Sequence, residues 1–197
     1  MNQDRRDLLR DAAVDVLADA GGRGLTHRAV DAVAGVPPGT AKNYYPTRDA
    51  LLRAVAERCA ERYRERERAL GGGDGGPGPV DRAGLAAVLA GTLRDAAGPG
   101  RPRVLACLEL RTEAARRPWL AALLDPIGAA DFAAHARLLR AAGLPDAPER
   151  ARALSLALHG ATGHLLTGAP RTLAAAGLDD LDGFARAVLD AVCPQAP

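Results

Sequence analysis

The chain has 197 residues, a formal net charge of +2, 48% hydrophobic and only 3% aromatic residues, which is long enough to bury a real core. Its apolar content is mostly Ala and Leu with Val in support, residues of a helical rather than a β-rich protein, and the small basic excess sits in the first 69 positions, an asymmetry that by itself names no nucleic-acid partner. No apolar run approaches the roughly 18 residues of a membrane span, and Cys59, Cys107 and Cys193 are odd in number and lack C-x-x-C spacing, which signals neither a disulfide framework nor a zinc site; the expectation is an all-α, cytoplasmic protein with buried or idle thiols.

In chain order, residues 5–20 repeat Leu9, Ala13, Val16, Leu17 and Ala20 at three- and four-residue steps, an amphipathic helix that Gly21 and Gly22 stop. Thr26 then caps a short helix through Val33, its hydroxyl able to accept from a free N–H of the first turn, with Ala29, Val30 and Val33 facing inward. Gly35 ends it. Val36-Pro37-Pro38 restarts the chain, because proline fits a first helical turn, and predicts a third helix over about 37–44. Pro46 closes that one, Thr47 caps the next, and Asp49 places negative charge in its first turn. The fourth helix is long, with Ala50, Leu51, Ala54 and Val55 on an inward stripe and the charged run from Glu61 to Arg68 as a solvated face.

GGGDGGPGP, residues 71–79, reads as a flexible connection. Beyond it four or five more helices are expected: about 80–97 (Leu85, Val88, Leu89, Leu93), 101–116, 118–142 with Pro126 kinking or breaking it, 147–167 and 179–193.

A capped helix, a glycine turn and a second short helix make a helix-turn-helix, whose second helix can lie in a DNA major groove. Lys42 is the only lysine of the chain's 26 Lys and Arg, and it stands beside Asn43 and Tyr44 on that second helix. Lysine suits phosphates and guanine acceptors, asparagine binds adenine in bidentate fashion, and neither holds a core well. A surface turn bearing a solvated lysine is the competing reading, and spacing alone does not separate the two.

The stretch GLTHRAVDAVAGVPPGTAKNYYPTRDALLRAV, residues 24–55, resembles the DNA-binding region of the tetracycline-repressor (TetR) family of bacterial transcription regulators, and the helix layout is similar over residues 5–69. The resemblance implies a domain over 1–48 that binds double-stranded operator DNA and a domain over 49–197 for ligand binding and dimerisation. It implies that Thr26 caps the second helix and approaches phosphate and that His27 and Arg28 make phosphate or base contacts. Pro37, Pro38, Thr40, Lys42, Asn43 and Tyr44 would face DNA, Tyr45 would lock the recognition helix onto the first helix, and Arg48 would contact phosphate. Where many members carry tyrosine and histidine this chain has Lys42 and Asn43, so its operator sequence is its own.

For the larger half, the resemblance implies a variable all-α domain that binds an unidentified small-molecule effector, so that helix 4 carries the effector's signal to the DNA-binding end. Candidate pocket residues are Cys107, Arg111, Trp119, Phe132, His135 and His159. Two long helices paired across a two-fold axis would form a homodimer through Leu154, Ala157, Leu158, Gly160, Ala161, Phe184 and Val188, presenting the recognition helices to half-sites about 34–36 Å apart or a multiple of that turn. His159 and His164 are five residues apart rather than the four that would put both on one helix face. No nucleophile–base pair, phosphate loop or metal spacing is visible, so no catalytic residue, metal or cofactor is expected. An all-α enzyme or ligand carrier with an unused helix-turn-helix, and an architectural DNA-binding protein, are the alternatives.

Overall fold

A computed structural model describes residues 3–69 and 80–194, without the side chains of 66–69; the connection at 71–79 lies outside the described residues. Ten helices and no strand are found among them: α1 (Gln3–Gly24), α2 (His27–Val33), α3 (Thr40–Tyr44), α4 (Arg48–Ala69), α5 (Arg82–Ala97), α6 (Arg101–Ala114), α7 (Pro118–Ala141), α8 (Pro148–Thr167), α9 (Pro170–Ala175) and α10 (Leu181–Val192). The helices group into two compact units, Met1–Glu65 with Pro102–Ile127, and Arg66–Arg101 with Gly128–Pro197.

In the first unit, Leu9, Ala13, Leu17, Val30, Leu51, Leu52, Val55 and Leu110 form the core. Leu9, Ala13, Val16 and Leu17 of α1 do bury one face, whereas Ala20 is exposed, and the helical backbone breaks at Gly21 (φ 65°, ψ −175°), a conformation that only glycine adopts without strain. Arg10, Asp11, Arg58, Glu61 and Arg62 tie α1 to α4. Arg58 Nε donates to Asp11 Oδ1 at 2.5 Å, Arg10 pairs with Glu61 at 2.6 Å, and Arg62 pairs with Asp11 at 2.9 Å. The hydrogen bond it donates to Asp11 is the main reason the Arg58 guanidinium holds its proton more tightly than usual. The charged run on α4 therefore begins as a set of interhelix ion pairs and not as a purely solvated face.

The second unit buries Leu85, Leu89, Leu93, Leu139, Leu154, Leu158, Ala185 and Leu189 in its own core. Pro148 opens α8 in its first turn, and Asp180 caps α10 by accepting from the Gly183 N–H at 2.9 Å.

Four sequence expectations need correction. The third helix begins at Thr40, not near 37, because Gly39 at φ 90° and its hydrogen-bonded turn leave Pro37 and Pro38 outside it. Val33 is 55% exposed, and Asp31 takes the inward position beside Val30. Val88 is 40% exposed, because α5 turns Leu85, Leu89 and Leu93 inward instead. Of the kink or break expected at Pro126, the break does not occur, since α7 runs through it from Pro118 to Ala141. The short α9 was not legible, since six residues between Pro170 and Ala175 carry no apolar period.

Candidate nucleic-acid interface

The α2–turn–α3 segment is built around one buried carboxylate. Asp31, 3% exposed, accepts from the Gly39 N–H with Oδ2 and from the Ala41 N–H with Oδ1, both at 2.7 Å. Gly39, at the left-handed N-cap of α3, has no side chain to cap the helix, so Asp31 performs that task from the preceding helix. A five-residue helix has no independent stability. Asp31, together with buried Ala41 and Tyr45, is what fixes α3 in place.

Other polar groups around α3 are also spent on backbone. Thr26 Oγ1 accepts from the Ala29 N–H at 3.2 Å, as the capping expectation required. His27 Nε2 donates to the Tyr45 carbonyl at 2.6 Å, tying the start of α2 to the end of α3. The Thr40 hydroxyl donates to the Pro37 carbonyl at 2.6 Å, closing the turn. Arg48 donates to the Leu25 carbonyl at 2.7 Å and also to the Gly22 carbonyl, so its guanidinium fastens the α1–α2 connection. Tyr45 lies 7% exposed, with its hydroxyl donating to the Arg6 carbonyl at 3.4 Å and the Arg6 guanidinium 5.9 Å from its ring centroid. Burial pushes its phenol pKa up, against the opposing charges of Arg6 and Arg10.

Against that frame, Lys42 and Asn43 are exposed and make no side-chain hydrogen bond or ion pair among the described residues; Arg28 is likewise exposed and unengaged. Pro37 and Pro38 are exposed in the turn, while Tyr44 is half-buried with its ring centroid 6.4 Å from that of Tyr45. The surface thus offers one ammonium, one carboxamide and one guanidinium on a rigid support. Those groups bind phosphate and base edges.

The six candidate pocket residues divide between the units. Cys107, Arg111 and Trp119 belong to the first; Arg111 is exposed, and Trp119 packs on the core with the Arg53 guanidinium 4.8 Å from its ring centroid. Phe132, His135 and His159 belong to the second. There His135 and His159 meet two residues that sequence reasoning did not select. The Ser155 hydroxyl lies 2.6 Å from His135 Nδ1 and 3.3 Å from Asp131 Oδ2, and His159 Nε2 lies 3.2 Å from the same carboxylate oxygen. Burial pushes the Asp131 carboxyl up, but His159, His135 and the Ser155 hydroxyl together outweigh it and hold its pKa below the usual carboxylate value. Ser155 and the Asp131 carboxylate approach the same imidazole nitrogen of His135, at 2.6 and 3.6 Å, whereas a nucleophile relay needs opposite nitrogens.

The sequence carries the two halves of this cluster, Asp131 and His135 on α7 and Ser155 and His159 on α8, each pair four residues apart, but not that the two halves meet. Glu109 accepts from the Gly22 N–H at 2.9 Å and ties α6 to the end of α1. No group of three or more metal-ligating side chains occurs among the described residues. Nor is any helix among them long and apolar enough to cross a membrane.

The comparisons with known proteins agree with one another. Residues 80–193 match the family model described as "Tetracyclin repressor-like, C-terminal domain". A TetR-family regulator from Rhodococcus sp. is 26% identical, with 98% of this chain and 100% of that one covered and a TM-score of 0.68. A TetR family member from Streptomyces coelicolor A3 is 31% identical over 97% of this chain and 99% of that one, with a TM-score of 0.63. The multidrug binding protein EbrR, solved in complex with ethidium, is 30% identical over 98% of this chain and 99% of that one, with a TM-score of 0.65. No curated protein matches significantly. With more than half of its length inside the family model and relatives above 30% identity along nearly the whole chain, the protein belongs to the TetR family of transcriptional regulators.

Proposed function

We propose that the protein is a sequence-specific, DNA-binding repressor of bacterial transcription that works in the cytoplasm as a homodimer and leaves its operator when a small molecule binds. Residues 1–48 form the helix-turn-helix domain and 49–197 the ligand-binding and dimerisation domain. The observation that carries the reading is the contrast within α3: its backbone is anchored by Asp31, and its Lys42 and Asn43 side chains stay exposed and unengaged. Such an arrangement spends the entropy of positioning the helix before DNA arrives. Fluorescence anisotropy on DNA flanking the protein's own gene tests it. Saturable binding to one site, weakened or made less selective by Lys42→Ala, is the expected result; weak, sequence-indifferent binding that Lys42→Ala leaves unchanged overturns it.

The effector half of the proposal rests on the likeness to EbrR, described as a multidrug binding protein in complex with ethidium, and on the half-buried Asp131 carboxylate as a partner for a cationic or hydrogen-bonding ligand. Ethidium added to the protein without DNA should gain fluorescence saturably, and Asp131→Asn should weaken that binding. Leu154, Leu158 and Ala161 are already buried in their own unit's core, whereas Leu156 is 62% exposed and Gly160 is open. The dimer face therefore centres on Leu156, Ala157 and Gly160 of α8 and takes in Phe184 and Val188 of α10. Sedimentation velocity of Leu156→Glu should show a monomer.

A further inference from the structure

Two cysteines that are 48 positions apart in sequence meet in the first unit. Cys59, 4% exposed on α4, belongs to the core, and Cys107 on α6 packs against it with part of its surface open to solvent. The two thiols share a hydrogen bond, and the guanidinium charges of Arg103 and Arg111 lie near Cys107. The third cysteine, Cys193, is buried in the other unit. The pair is therefore neither a disulfide nor a metal site at rest, and nothing in the DNA-binding reading uses it.

We propose that Cys59 and Cys107 form a reversible redox modification site, in which a hydroperoxide oxidises Cys107 and Cys59 resolves it to an intramolecular disulfide joining α4 to α6. The roles are unequal for physical reasons. The hydrogen bond from Cys59 and the charges of Arg103 and Arg111 pull the Cys107 thiol down to about 7, against the effect of burial, whereas hydrogen bonding and burial push the Cys59 thiol up. A thiolate is the nucleophile in such chemistry, and it needs both a depressed pKa and access to the oxidant. Cys107 has both, and Cys59 has neither.

The steps balance without further reactants. The Cys107 thiolate attacks one oxygen of the peroxide; the O–O bond breaks, an S–O bond forms, and the departing hydroxide takes a proton to leave as water, or as an alcohol from an organic hydroperoxide. The sulfur of Cys59 then attacks the sulfur of the Cys107 sulfenic acid. The S–S bond forms as the S–O bond breaks, and the Cys59 proton leaves with the hydroxyl as water. Two thiols are oxidised by two electrons in all, and the peroxide is reduced by the same two.

The site stands independently of operator binding, so its test uses no DNA. Reduced full-length protein is treated with hydrogen peroxide and mapped by intact mass and by peptide mass under non-reducing conditions. The expected product has lost two hydrogens and two free thiols, contains a linked pair of peptides carrying Cys59 and Cys107, and returns to the starting mass with dithiothreitol. Cys193→Ser should behave as wild type, and Cys59→Ser should accumulate a sulfenic acid at Cys107 that dimedone traps. Cys107→Ser should react at least about tenfold more slowly. Circular dichroism shows which variants fold; if Cys59→Ser does not, the wild-type and Cys193→Ser maps decide. Three intact thiols after peroxide, a bridge through Cys193 or between two chains, or direct over-oxidation of Cys107 in the wild type would each overturn the proposal.

Discussion

Each unit holds a carboxylate among helices, the buried Asp31 in the first and the half-buried Asp131 in the second, and the two are used oppositely. Asp31 bonds two backbone N–H groups of the next helix, so its charge stiffens the chain and leaves the surrounding side chains free to face outward. Asp131 bonds side chains, His159 and Ser155, with His135 close by, so its charge is matched by groups that can themselves change partner. A backbone-anchored carboxylate makes a rigid presenting surface, and a side-chain-anchored one makes a polar cluster that responds to its contents. That division fits a protein that reads one partner with its first unit and senses another with its second.

The comparison breaks first if the first unit's core is not what supports the anchored segment. Leu52 is fully buried on α4, and Leu52→Ala should cost about 3 kcal/mol in urea unfolding. Asp31→Ala should cost about 2 kcal/mol, since it strands the N–H groups of Gly39 and Ala41, and should weaken operator binding at least about tenfold through loss of α3 placement. An Asp31→Ala protein with unchanged affinity would mean that α3 does not need its anchor. Asp131→Asn should cost about 1 kcal/mol at neutral pH. The folded-state pKa of Asp131 is depressed, so its contribution is complete above about pH 4 and is lost as the pH falls through the lower folded value. The difference in Tm between wild type and Asp131→Asn should accordingly shrink in acid, and a difference that grew there would contradict the assigned pairing. Lys42→Ala should change stability by less than about 0.5 kcal/mol while lowering the salt slope of operator binding by about one if the ammonium meets a phosphate. A measurable loss of stability would show that Lys42 belongs to the frame.

What could be read in advance follows from how local each cause is. Thr26 and Thr47 cap the helices that follow them, accepting from Ala29 and Ala50 three residues on, and both caps are visible as residue types at fixed offsets. Gly21 breaks α1 where it should. Val33 misled, because on a seven-residue helix the apolar period does not separate the inward face from the rim, and a polar residue, Asp31, was the better inward candidate once its partners were in view. For Arg48 the resemblance implies a phosphate contact, and in the free protein its guanidinium reaches back to carbonyls at Gly22 and Leu25.

By itself, the sequence determined the all-α class, most helix positions, the helix-turn-helix and its exposed Lys42 and Asn43, since periodicity, caps and glycine or proline stops act within one or two turns. Only the tertiary structure decided that Asp31 caps α3 and that Asp131, His135, Ser155 and His159 converge. It likewise decided that Cys59 faces Cys107 and that Leu154 and Leu158 are consumed by their own core. Each of these is a contact between helices, set by which faces pack together, and a helical period states that a face is buried without stating what it is buried against.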